Sequence, residues 1–323
     1  MIPYLDLHCD TLTDWIDRGE DRDFFNFPEK MVDLKRLKEI GAMGQFFAIF
    51  FPPQEENTKN LTDDVIFSHS LELFQQMMNR YPELITPAYH AEDILKNQKA
   101  GKISALLSIE DGRAVSGDLQ KLNFFYQHGV RCMSLTWNFG HINIPNCFGF
   151  PNSPEFQHLG LTPFGREAVA YMQEIGMLVD VSHLSDQGFW DVANFTTKPF
   201  LASHSNCREV CNLLRNLNDA MIRTLADRGG VVGLNFCPDL TVAGAMHCSA
   251  DDLAKHVWHL FQTGGEDCIA LGTDFDGIGG TVEVDSPIRM PLLFDALTKL
   301  GLTQRQLDKF AFQNVLRVLQ DTL

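Results

Sequence analysis

Short apolar or β-branched runs alternate along this chain with longer stretches in which apolar residues recur every three or four positions. The runs fall at 2–8, 43–51, 103–110, 131–137, 177–183, 199–204, 231–236 and 268–274. Near-continuous apolar strands interleaved with amphipathic helices are the pattern of parallel βα units, whose strands are covered on both faces. Eight such units close a barrel. The expected fold is therefore α/β, a single (β/α)8 TIM-type barrel domain over residues 1–323. No linker, low-complexity tract or short repeat divides it.

Helix punctuation agrees with that alternation. Thr162 precedes Pro163 at the start of one amphipathic stretch, Ser249 precedes another, and Thr303 with Gln306 has capping-box spacing. Gly41, Gly176, Gly229 and Gly264 stand where helices should stop. Residues 138–160, rich in Asn, Pro, Gly and Phe, form the exception to short connections and read as a binding wall or lid.

Composition narrows the class. A chain of 323 residues that is 45% hydrophobic and 11% aromatic can bury a sizeable core. Its formal charge of −16 argues against nucleic acid and anionic membrane as partners, since both require a basic face. Apolar stretches such as that at 46–51 are far too short to span a bilayer. No secretory leader pattern precedes the first strand, and the eight cysteines show no CxxC pairing, so a cytoplasmic location with reduced thiols is expected.

Five of the eight expected strands end in ionisable residues: His8 and Asp10, Glu110, His183, His204 and Asp274. In a closed parallel barrel all C-terminal strand ends share one face, so these six groups should converge. Imidazole nitrogens and carboxylate oxygens suit zinc and similar divalent ions. Six donors exceed what one ion ordinarily takes, whereas two ions sharing a carboxylate would use them all. His256 and His259, three apart on an expected helix with Asp252 and Lys255, read instead as a solvated helix face. Serine-hydrolase, P-loop and dinucleotide fingerprints are absent.

The strand-end set, HxD then Glu, His, His and Asp, resembles the amidohydrolase superfamily. More narrowly, "DLHCDT", "SIEDG", "SLTWN", "GLTPFGREAVAYMQEIGMLVDVSHLS", "SHSNCREVCNLLRNL" and "GTDFDG" resemble the membrane (renal) dipeptidase family of zinc peptidases, from residue 5 to about 319. The resemblance implies two zinc ions per chain, other divalent metals being compatible with the ligands. His8 and Asp10 hold one, His183 and His204 the other, and Glu110 bridges them. It further implies a hydroxide nucleophile between the ions, Asp274 as the general base that becomes a general acid, and Arg215, eleven positions after His204, as the group that binds the substrate's free carboxylate. Where renal enzymes carry a His that steadies the oxyanion, this chain has Trp137 followed by Asn138, which leaves that donor to Asn138 or to His141. The implied partner is a small unblocked dipeptide, L,D-dipeptides included, and homodimers are common among relatives. Two other readings stay open: a binuclear hydrolase of another amide, lactam or ester, and a non-catalytic binding barrel.

Overall fold

The computed structural model describes residues 2–13, 16, 23–53, 57, 59–138 and 146–323. Eight parallel strands close into a barrel: β1 (Leu5–Asp6), β2 (Gly44–Phe50), β3 (Ile103–Glu110), β4 (Val130–Ser134), β5 (Leu178–Asp180), β6 (Leu201–Ala202), β7 (Val231–Leu234) and β8 (Ile269–Leu271). Closure runs through two registers, Leu5 opposite Gly44 and Asp6 opposite Leu271. Between β2 and β3 the pairing is unbroken from Gly44–Ser104 to Phe50–Glu110, which carries Glu110 to the end of its strand.

All eight expected strands are present, although most are shorter than their apolar runs. The runs also did not reveal Ile85–Pro87, a short strand that pairs with Ile103–Ala105 at the beginning of β3. Only three residues pair there, and Pro87 removes one donor, so neither length nor periodicity marks it. The expected helix stops and starts are largely as read. Thr162, Ser249 and Thr303 are N-caps, the last two in capping boxes, and Gly41 and Gly176 end their helices in the left-handed conformation. Gly264 is the final helical residue, and Gly265 serves as the cap. The last amphipathic stretch is not one uniform helix, because a π turn at Lys309–Gln313 separates Gln304–Asp308 from Asn314–Thr322.

One core cluster draws a residue from every barrel strand: Leu5, Phe46, Leu106, Cys132, Leu178, Leu201, Val231 and Ala270. Leu106 lies on the same face of β3 as Glu110 and four residues before it, so this plug fills the barrel interior beneath the C-terminal strand ends. Val315, Leu316, Val318 and Leu319 of the final helix pack onto the same cluster. Above it, Gly233 and Gly272 admit the Ser203 carbonyl, since a Cβ on either would lie 1.9 or 1.7 Å from that oxygen. Close backbone approach of β6, β7 and β8 sets the floor on which the polar groups stand.

Candidate metal centre

The six ionisable groups stand at or just beyond the strand ends and meet over that floor. Glu110 divides its two oxygens between two sets of imidazoles. Oε2 is 3.4 Å from His8 Nε2, while Oε1 is 3.0 Å from His183 Nε2 and 3.3 Å from His204 Nε2. His8 Nε2 is also 3.4 Å from Asp10 Oδ2 and 3.9 Å from Asp274 Oδ1. The Nε2 atoms of His183 and His204 are 2.8 Å apart, and the His8 and His204 rings stack at 3.9 Å. His8, Glu110 and His204, and again His8, Asp10 and Asp274, each bring donor atoms close enough together for an ion.

Backbone geometry aims these groups. His183 (φ 69°) and Asp274 (φ 60°) are non-glycine residues in the left-handed region. Such a conformation costs about 1–3 kcal/mol and persists only where surrounding contacts impose it. Those contacts are present: Thr136 Oγ1 donates to the His183 carbonyl at 3.0 Å, and Asn235 Nδ2 donates to Asp274 Oδ2 at 2.9 Å. Asp6 ties β1, β2 and β8 together beneath His8 by accepting from Thr273 N (2.9 Å), Thr273 Oγ1 (2.7 Å) and Gln45 Nε2 (3.0 Å). His204 Nδ1 is 2.6 Å from Ser203 Oγ, which itself donates to Asp180. This relay places the ring proton on Nδ1 and leaves the Nε2 lone pair facing Glu110.

Electrostatics complete the test for a metal. Burial, aided by Arg215, takes His183 down to about 3, and burial together with the neighbouring His8 holds His204 well below the usual histidine range. Glu110 is held well below the carboxylate range despite its burial, chiefly by His8 and by the His183 and His204 imidazoles beside it. Neutral imidazoles and an ionised carboxylate are the states a metal requires. Burial opposes protonation of His8, yet Glu110 and Asp10 outweigh it and raise its pKa, so this corner attracts positive charge. Among the described residues, His8 Nε2 and Asp10 Oδ1 are buried without a well-formed hydrogen bond. At Gly277 a Cβ would intrude to 2.1 Å from Asp10 Oδ2 and 2.6 Å from Asp274 Oδ1, so the cradle around those carboxylates depends on that glycine. The residues fit a divalent cation.

Beside the carboxylates opens a cleft of about 440 Å³, lined by His183, Arg215, Asn235 and Asp274 as well as Asn138 and Ser153. Arg215 is buried and donates to Ser205 Oγ at 2.8 Å and to the His204 carbonyl at 2.9 Å. Trp137 packs tilted against Phe50 with ring centres 4.8 Å apart and its ring 6.0 Å from that of His183, and Asn138 follows it into the cleft wall with a buried Oδ1 that finds no hydrogen bond among the described residues. His141 lies outside the described residues. His256 corrects one expectation. It is buried, not solvated, with Nδ1 accepting from Cys207 N at 3.2 Å and Nε2 donating to the Thr241 carbonyl at 2.9 Å. His259 pairs with Asp219 at 2.7 Å, as a helix-face residue should.

Strand-end reasoning did not reveal Asn235, Ser203 or Asp180. Polar residues inside otherwise apolar strands, as in "LVDVSH" and "FLASH", are the signal that could have found the last two. Cys9, between two candidate ligands, belongs to the hydrophobic core, and its pKa is pushed well up by burial. Cys9→Ala is therefore expected to leave bound metal and turnover within about twofold of wild type while lowering the melting temperature by a few degrees. Metal analysis with a thermal melt checks both halves.

Residues 1–322 match the family model for membrane dipeptidase, peptidase family M19. Among curated proteins, a protein encoded in the pqqA 5′ region of Klebsiella pneumoniae is 33% identical over 265 residues, covering 79% of this chain and 96% of its own. Dipeptidase tcpJ of Claviceps purpurea is 28% identical, covering 90% of this chain and 69% of its own. A metallopeptidase from Rhodobacter sphaeroides superposes with a TM-score of 0.86 at 26% identity, covering 100% of this chain and 99% of that one. With a family match along nearly its whole length and a barrel that gathers metal-binding side chains at its strand ends, the chain belongs to the membrane dipeptidase family and is a metallopeptidase.

Proposed function

We propose that this barrel, residues 1–323 as one domain, is a dinuclear zinc dipeptidase of the cytoplasm acting on small dipeptides with free ends, L,D-dipeptides among them. The observation that carries the reading is the division of Glu110, one oxygen toward His8 and the other toward His183 and His204. A carboxylate so placed suits two cations that share it. His8 and Asp10 would hold one and His183 and His204 the other, with Glu110 common to both. Two such ions would supply Lewis-acid polarisation of the scissile carbonyl and would lower the pKa of a bound water to about 7.

The chain's own residues do the rest. Asp274 offers Oδ1 toward the reacting centre while Asn235 fixes Oδ2, a posture suited to taking a proton from the attacking water and handing it to the leaving amine. Asn138 stands where an amide could steady the carbonyl oxygen as charge develops on it. Arg215 presents the cleft's buried guanidinium, the group that pairs with a terminal carboxylate. The Rhodobacter sphaeroides metallopeptidase was crystallised with a phosphinate mimic of the dipeptide L-Ala-D-Ala, which supports the substrate class with L,D-dipeptides included. All eight cysteines are free, in keeping with a reducing compartment, and no helix among the described residues is long and apolar enough to cross a membrane.

A panel of L,L and L,D dipeptides, each beside its N-acylated and C-amidated form, tests the reading. Free dipeptides are expected to be cleaved, and C-amidation to lower kcat/KM by about 10- to 100-fold, the worth of a hydrogen-bonded charge pair. Arg215→Ala should remove most of that discrimination. Equal cleavage of free and C-amidated substrates by the wild type would remove Arg215 from the site.

A further inference from the structure

Ser153 enters none of the roles above. It is 3% exposed, it lines the cleft that holds Arg215, and its hydroxyl makes no hydrogen bond among the described residues. A serine that opens a turn ordinarily spends its hydroxyl on the free backbone N–H groups just after it. Here the Ser153 carbonyl is used instead, accepting from Phe156 N and Gln157 N at 3.1 Å each.

The segment carrying Ser153 is fastened on two sides. Asn152 N donates to the His183 carbonyl at 2.8 Å, and Asn152 Nδ2 donates to the carbonyl of Leu214, the neighbour of Arg215. Pro151 also bridges to Leu184, and Ser185 N donates to the Phe150 carbonyl at 3.0 Å. These bonds fix Ser153 between the strand end bearing His183 and the segment bearing Arg215. A buried hydroxyl without a partner is unfavourable in the free protein, and its retention in a ligand cleft makes sense if the ligand completes it.

We propose that the Ser153 hydroxyl donates to the carboxylate of the substrate's C-terminal residue, the same carboxylate that Arg215 pairs with, so that Ser153 is a specificity residue for unblocked substrates. This rests on the dipeptidase reading given above. An uncharged hydroxyl lining the same cleft as the guanidinium gives the carboxylate a second donor and sets which way its plane faces, at no added charge. The contact is present before and during reaction, so it acts on KM and hardly on kcat.

The test uses the zinc-loaded enzyme with a free dipeptide it cleaves and the C-amidated counterpart. Ser153→Ala is expected to raise KM for the free dipeptide about tenfold, as for one hydrogen bond to a charged group, with kcat within twofold and KM for the amide unchanged. Its melting temperature should hold or rise, since an unpartnered hydroxyl has been removed, whereas a purely structural serine would give a fall. Ser153→Thr, which keeps the hydroxyl, should return KM to within about threefold of wild type. An unchanged KM in Ser153→Ala, or an equal rise on the amide, would overturn the inference while leaving the dipeptidase reading intact. A wild type that cleaves no dipeptide would overturn both.

Discussion

Glu110→Gln is expected to leave the protein with fewer than one divalent ion per chain and turnover reduced by well over about a hundredfold, beyond the usual effect of disturbing a residue that merely supports a ligand. The side chain keeps its size, so the change isolates charge. Glu110 faces three Nε2 atoms within 3.4 Å, and His8, His183 and His204 are the groups that hold it ionised. An amide supplies one oxygen and one NH2 group, which only donates. Whichever way it turns, one set of imidazoles then faces a group that cannot ligate. Elemental analysis of the purified variant reads the loss directly, and a thermal melt reads it without activity. Added zinc should raise the wild-type midpoint by the linkage of binding to folding, and it should barely move that of Glu110→Gln. Two ions per chain in the variant would end the bridging assignment.

Much of this site was legible because the barrel makes strand position equivalent to spatial position. Once eight apolar runs were found, ionisable residues at their ends could be placed on one face without any distance being known. His8, Asp10, Glu110, His183, His204 and Asp274 are the result, and they do meet. What the strand pattern cannot carry is the orientation that each ring and carboxylate takes. His183 and Asp274 reach the centre through left-handed backbone three residues beyond their strands, a turn imposed by tertiary contacts and not by local propensity. The relay from Asp180 through Ser203 to His204 crosses two strands, and its members resemble ordinary polar substitutions until the registers are known.

His256 shows the opposite failure. Spacing beside Asp252 and Lys255 suggested solvent, yet the ring is buried because the Cys207 amide and the Thr241 carbonyl, far away in sequence, satisfy both its nitrogens. Burial of a polar group depends on partners, and partners at long range leave no periodic trace. Ser153 and Asn235 escaped for a related reason. One lies in an irregular segment and the other just past a strand with no ionisable residue, so neither carries a charge or a spacing that singles it out.

Asp274→Asn should separate chemistry from metal binding. The position faces His8 and Asp10, but the imidazoles of His183 and His204 and both oxygens of Glu110 are independent of it. Asn235 Nδ2 already donates to Oδ2 at 2.9 Å, and an amide in place of the carboxylate can keep an oxygen there. The opposite edge then presents an N–H group, which can neither take a proton from water nor carry one to the departing nitrogen. Loss of general acid–base transfer is worth about 10²–10⁴ in rate. The expected outcome is therefore a fall in kcat of that size with metal content unchanged and dipeptide KM within about threefold, since the proposed carboxylate donors Arg215 and Ser153 are untouched. Steady-state kinetics beside elemental analysis decide it. Full turnover with normal metal would move proton transfer to another group, and lost metal would make Asp274 a ligand first and a base second.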